Sequence, residues 1–273
     1  MNETRPDSIP QPILELQSVT AGYGRQLVIR DLSMSVARGE MIALVGPNGA
    51  GKSSILRLLT GVLPPSTGRV SIDGRLAAEL SRDEIALRIA VVPQVATLPF
   101  AARVEEVVAL GRLPHEDPIR GPRAVDRVAV ADAIDRVGLA HLVGKDAREL
   151  SLGERQLVLV AVAVAQSAPV ILLDEPTVHL DIRHQVDVME LLADLNHSDG
   201  VSVVAVLHDL ILAARYFPRI IVLAGGRIVA DGEPEFALAP ARIREVFRVD
   251  PALVAGPWAH SGPATVLSGA GRS

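Results

Sequence analysis

The chain has 273 residues, of which 49% are hydrophobic and 22% charged. That length holds one large domain or two small ones, and the composition supplies a core and excludes wholesale disorder. A net charge of −5 and a pI near 5.8 exclude the basic footprint of a nucleic-acid binder, and the absence of cysteine excludes disulfides, thiolate metal sites and a cysteine nucleophile.

Residues 1–12 carry Pro6, Pro10 and Pro12 and read as an extended lead-in with no apolar signal segment. Leu14–Val36 alternates short apolar stretches with turn residues and predicts a small antiparallel piece of short strands. Met41–Val45 is a buried strand, followed by a glycine-rich turn and a helix over Ser53–Thr60. Ile89–Val92, Val170–Leu173 and Val203–Leu207 are further apolar runs of strand length. From about residue 100 to 155 the pattern is mainly helical, with helices over Arg103–Leu110 and Val125–Val137. Leu157–Leu173 is the most apolar stretch, but Gln166, Ser167 and Pro169 interrupt it. It predicts a buried helix, a break and a buried strand, and falls short of a membrane span. Ile220–Asp231 reads as a hairpin around Gly225 and Gly226, and the stretch from Gly256 as a loose tail. Strands joined by helical crossovers predict an α/β fold with a mainly parallel sheet.

The strongest chemical signal is Gly46-Pro47-Asn48-Gly49-Ala50-Gly51-Lys52-Ser53, which fits G-x-x-x-x-G-K-[ST] between a strand and a helix. Glycines let the backbone wrap a phosphate chain, and amides at the helix start point at the anion. Lys52 can neutralise the β- and γ-phosphates, and the Ser53 hydroxyl can ligate Mg²⁺. The second signal is Val170-Ile171-Leu172-Leu173-Asp174-Glu175, an apolar strand that ends in two carboxylates. Ligands of an open parallel sheet bind beyond the carboxyl ends of its strands. Asp174 can then hold Mg²⁺ and Glu175 can orient or deprotonate an attacking water. Alone, the pair could equally be a solvated acidic turn.

Leu150-Ser151-Leu152-Gly153-Glu154-Arg155-Gln156, between these two motifs, resembles the LSGGQ-type signature of ATP-binding cassette (ABC) ATPases. The resemblance covers roughly residues 13–235 and implies a P-loop NTPase core, an N-terminal antiparallel β subdomain and a helical subdomain over about 95–155. The remainder, 236–273, is then a C-terminal extension and tail. It implies that Tyr23 stacks on adenine, with Ser54 beside the phosphates, and that Gln94 is the glutamine linking core and helical subdomain and meeting the metal. Val178-His179-Leu180-Asp181 resembles the D-loop, and His208 the switch histidine near the γ-phosphate. Asp181 is also a good helix cap, and both readings stand.

Four residues depart from the family pattern. Leu152 replaces the first glycine of the signature and adds bulk at a point of close approach, and Leu157 stands where arginine is common. Val178 and His179 replace small residues in the D-loop. The resemblance further implies ATP and Mg²⁺ as ligands. Its partner is a second copy of the chain, whose Ser151, Gly153 and Glu154 face the first copy's ATP. Separate permease subunits are implied as well, and through them a solute-binding protein. These place the chain on the cytoplasmic face of the membrane. The docking surface is expected near Gln94 and the segment after it, including Ala109–His115. That segment, with DIRHQVDVMELL and VLHDLILAARY, is similar to importers of iron–siderophore, haem and cobalamin. A non-transport ABC ATPase and a low-turnover nucleotide-binding regulator are the alternatives.

Overall fold

The computed structural model describes residues 11–94, 101–117, 121–178 and 180–251. Most of the lead-in, the segment directly after Gln94, His179 and the tail from Gly256 lie outside them.

The chain opens with β1 (Leu14–Tyr23) and β2 (Gln26–Val36), followed by β3 (Met41–Val45) and helix α1 (Lys52–Leu59). Next come β4 (Thr67–Ile72), β5 (Arg75–Leu76), α2 (Arg82–Ala86) and β6 (Ile89–Val92). The expected short strands of the N-terminal piece are two long ones. β1 and β2 pair antiparallel along their length, and register shifts after Leu16, Val19 and Ala21 absorb the irregular spacing that makes the sequence look broken. The four-stranded N-terminal sheet has the order β2-β1-β4-β5.

Helices α3 (Val104–Ala109), α4 (Ala124–Arg136) and α5 (Leu152–Gln166) precede β7 (Val170–Asp174). Then follow α6 (Ile182–Asp199), β8 (Ser202–Val206), α7 (Leu210–Tyr216), β9 (Arg219–Ala224) and β10 (Arg227–Gly232). The central sheet has six strands in the order β10-β9-β3-β8-β7-β6. All its pairs are parallel except the β9–β10 hairpin, which turns at Gly225 and Gly226 as expected.

A strand buried on both faces divides its side chains by parity. Ile42, Leu44, Leu172 and Val204 face the N-terminal sheet and α1. Ala43, Val45, Leu173 and Ala205 face the layer that holds α3 to α7. Leu157 is buried in this second layer, where an unpaired arginine would be costly.

Two features add to the sequence reading. Leu110–His115 forms a 3₁₀ turn that buries Gly111 and Arg112 instead of offering them to a partner. Arg112 pairs with Asp126 of α4 at 3.0 Å and donates to Ala165 O at the end of α5. Only Leu110 and Leu113 remain as exposed apolar residues of that turn. The extension beyond residue 235 also begins as packed structure. The short helices α8 (Pro234–Ala237) and α9 (Pro240–Arg242) lead into a π-helical turn, Ile243–Phe247, with Ala237 and Ile243 buried. Among the described residues, no helix is long and apolar enough to cross a membrane.

Candidate functional site: a phosphate cradle with an acidic strand end

The loop Gly46–Gly51 joins β3 to α1 and needs its glycines. Gly46 has φ 151°, and a Cβ there would lie 2.2 Å from Leu223 O. Gly51 has φ 104° at the N-cap of α1, where a Cβ would meet Ile29 Cδ1 at 2.6 Å. The loop therefore lies directly on β9 and β2. Asn48, Gly49, Ala50, Gly51, Lys52, Ser53 and Ser54 line an open recess with Val28 and Glu175.

Lys52 is only 6% exposed and curls back over the loop, donating to Gly46 O at 2.8 Å and Pro47 O at 3.1 Å. Burial pulls its ammonium below the usual lysine value, while Glu175 and Asp174 push it back up. The Ser53 hydroxyl donates to Asp174 Oδ1 at 3.0 Å. Burial pushes the Asp174 carboxyl up, opposed by the Ser53 hydrogen bond. Ser53 and Asp174 thus present two adjacent hard oxygen donors. Among the described residues there is no cluster of three His, Cys, Asp or Glu that could hold a metal. That donor set fits Mg²⁺, which binds through one or two protein oxygens and takes the rest from phosphate and water.

Glu175 follows β7 with φ 53°, a left-handed conformation unusual for glutamate. Its amide is fixed by Val206 O of β8 at 3.1 Å. The carboxylate is gripped at both ends. Gln94 Nε2 donates to Oε2, and His208 Nε2 faces Oε1. Gln94 follows β6 and His208 follows β8, the neighbours of β7 on either side. With its amide nitrogen on Glu175, Gln94 has its side-chain carbonyl oxygen as a donor that a cation could use.

Tyr23, at the end of β1, is 44% exposed. Its hydroxyl lies 3.4 Å from Ser54 Oγ and accepts from Arg57 Nη1 at 2.8 Å. Burial alone would raise the phenol, but the Ser54 and Arg57 hydrogen bonds leave it lowered. An exposed ring beside the recess is a platform on which a base can stack.

The signature residues form a helix cap. Ser151 caps α5, its Oγ accepting from Glu154 N at 3.2 Å, while Glu154 Oε2 accepts from Ser151 N at 2.8 Å and Ser151 Oγ at 2.7 Å. The Ser151 hydroxyl and amide hold the Glu154 carboxyl below its usual value. Gly153 lies in the first turn of α5, and Leu152 is 57% exposed. Asp181 caps α6 by accepting from His184 N at 2.9 Å. These hydrogen bonds stay within the caps. The fold thus unites Lys52, Ser53, Asp174, Glu175, Gln94 and His208, with Tyr23 alongside, and leaves Ser151, Gly153, Glu154 and Asp181 at their own helix starts.

The sequence reading missed Arg57 and Val28, and took Gln156 only as the last residue of the signature. Arg57 stands three residues after Ser54 on α1, a spacing that puts both on one face. Val28 comes from the other sheet and leaves no local signal.

A phosphate cradle between strand and helix, with acidic groups at the end of a parallel strand, defines a P-loop nucleotide hydrolase. Within that class, the model of the ABC transporter family matches residues 29–178. The chain is 39% identical over 231 residues to the ferric enterobactin transport ATP-binding protein of Escherichia coli, covering 85% of each chain. It is 44% identical over 224 residues to the hemin import ATP-binding protein of Streptomyces coelicolor, covering 82% of this chain and 79% of that one. A solved transporter described as of metal-chelate type, in an inward-facing conformation, superposes with a TM-score of 0.77 at 29% identity, covering 88% of this chain and 90% of that one. The chain belongs to the ABC transporter family, as an ATPase subunit.

Proposed function

We propose that the chain hydrolyses ATP to drive import of a metal chelate of the iron–siderophore, haem or cobalamin type through separate permease subunits. The observation that carries the ATPase reading is the double grip of Gln94 and His208 on Glu175, beside the Ser53–Asp174 pair. The cargo class rests on likeness to the siderophore and hemin proteins.

In this reading the ATPase domain spans 13–235, with the helical subdomain over about 95–155 and the extension from 236. The amides of Gly46–Gly51 and Lys52 bind the phosphates, and Tyr23 orients the base. Mg²⁺, when bound, neutralises charge on the β- and γ-phosphates. Ser53, Asp174 and the Gln94 carbonyl hold it. Glu175 accepts a proton from the attacking water, and His208 keeps the carboxylate turned toward the γ-phosphate.

One copy is incomplete. Ser151 and Glu154 bond within their own cap, with the Gly153 amide in the same first turn of α5, and a second copy placed head to tail would bring them to the opposite ATP. The chain then sits peripherally on the cytoplasmic face of the membrane, bound to the permease and indirectly served by a solute-binding protein.

Glu175→Gln tests the first half. The variant should bind Mg-ATP, stop hydrolysing it and run as a dimer in its presence. Persistent hydrolysis would overturn the assignment. Loss of the chain should impair uptake of one of the three chelate classes, and intact uptake of all three would overturn the cargo. A low-turnover regulator, which the bulk of Leu152 favours, is excluded by steady hydrolysis that depends on Glu175.

A further inference from the structure

Gln156 is 1% exposed, inside α5 and five residues beyond Ser151. Its Nε2 donates to Pro93 O at 3.2 Å. Among the described residues its Oε1 is buried without a partner. A buried amide with an unpaired oxygen weakens a fold, and an apolar side chain of equal length would be expected there on stability grounds alone.

The carbonyl it holds explains the placement. Pro93 immediately precedes Gln94, whose amide grips Glu175. The order Ser151, α5, Gln156, Pro93, Gln94, Glu175 is therefore a continuous covalent and hydrogen-bonded path from the signature cap to the catalytic carboxylate.

We propose that Gln156 is a positioning residue that ties the signature helix to Glu175 through Pro93 and Gln94. A shift of α5 when Ser151 meets the opposite nucleotide is then transmitted to the carboxylate of the same chain. The idea rests on the ATPase reading above, and it goes further by giving the two half-sites a mechanical link inside each subunit.

A merely structural residue and a positioning residue differ in the sign of their effects. Gln156→Met keeps the side-chain length and removes the unpaired oxygen. The variant should melt at the same temperature as wild type or higher. Its kcat should fall by about tenfold, because small misplacements of catalytic groups cost this much or more, while its KM for ATP stays within about twofold. Combined with Gln94→Ala, it should lower kcat no further than Gln94→Ala alone, since both act on one carboxylate. If Gln156→Met does not fold, Gln156→Leu supplies the same comparison. An unchanged kcat, a kcat and melting temperature that fall together, or multiplicative effects with Gln94→Ala would each overturn the proposal. Absence of Glu175-dependent hydrolysis in wild type would instead remove the ATPase reading, a separate outcome.

Discussion

Ser53 and Asp174 stand 121 residues apart in the chain, and the Ser53 hydroxyl donates to Asp174 Oδ1 over 3.0 Å. The pair links the start of α1 to the end of β7. Burial raises the Asp174 carboxyl above its ordinary 3.8. The folded chain therefore holds this proton more tightly than the unfolded chain, and stability falls as pH rises through the interval between the two values. Asp174→Asn removes that cost. It should raise the nucleotide-free melting temperature at pH 7, with the gain vanishing as pH drops to 3.8 and below. Hydrolysis should fall by at least about 100-fold, from loss of the carboxylate proposed to hold Mg²⁺. Calorimetry across pH and an ATPase assay check both.

Gln94 and His208 share one target. His208→Ala and Gln94→Ala should each lower kcat by about tenfold to 100-fold, leaving ATP affinity within about threefold. The double variant should fall well short of the product of the two, because a released carboxylate is released once. Steady-state kinetics on the three proteins decide this.

Leu152 is exposed at the first position of α5, where an added side chain costs the folded monomer nothing. Its effect belongs to the closed dimer. Leu152→Gly should raise turnover by about fivefold, the low end of what relieved overpacking supplies. ATP affinity of the monomer should not change. Equal turnover in the two proteins shows that Leu152 imposes no handicap.

Arg112 and Asp126 are 6% and 1% exposed, a charge pair closed inside the helical layer. The Arg123 amide, with Arg112 and Arg123 side chains, holds the Asp126 carboxyl down at about 2. Its stabilisation is fully present above the ordinary 3.8 and is lost as pH falls toward 2. Arg112→Met should lower the melting temperature by leaving Asp126 with the Arg123 amide and side chain alone. Arg112→Met with Asp126→Leu should recover most of the loss. Acid unfolding of wild type between pH 4 and 2 should flatten in the double variant.

The central strands and the cradle were legible because their signals are local. Met41–Val45 and Ile89–Val92 are uniform apolar runs, and the structure reproduces both with the bounds read from sequence. The Gly225-Gly226 turn and the Gly46–Ser53 loop carry their backbone demands in residue type. What escaped depends on contacts between distant segments. Nothing in the spacing of Arg112 announces that it pairs with Asp126 across a turn and caps the end of α5. The same holds for Gln156, whose meaning lies in a carbonyl 63 residues upstream. The packed start of the C-terminal extension escaped because its apolar residues fall in segments only a few residues long, Phe236–Ala239 and then Ile243, Val246 and Phe247, with Pro240 between them.

The order of the central sheet acts as a ruler. The cradle leaves β3, His208 leaves β8, Glu175 leaves β7 and Gln94 leaves β6, and these four strands are successive neighbours. Three inter-strand steps of about 4.8 Å give a span of about 14 Å from end to end. Backbone ladders fix that gauge, so the distance in sequence between the groups is irrelevant to it. The long excursion between β6 and β7 can therefore vary in length without altering that gauge, so long as it returns Gln156 to the Pro93 carbonyl.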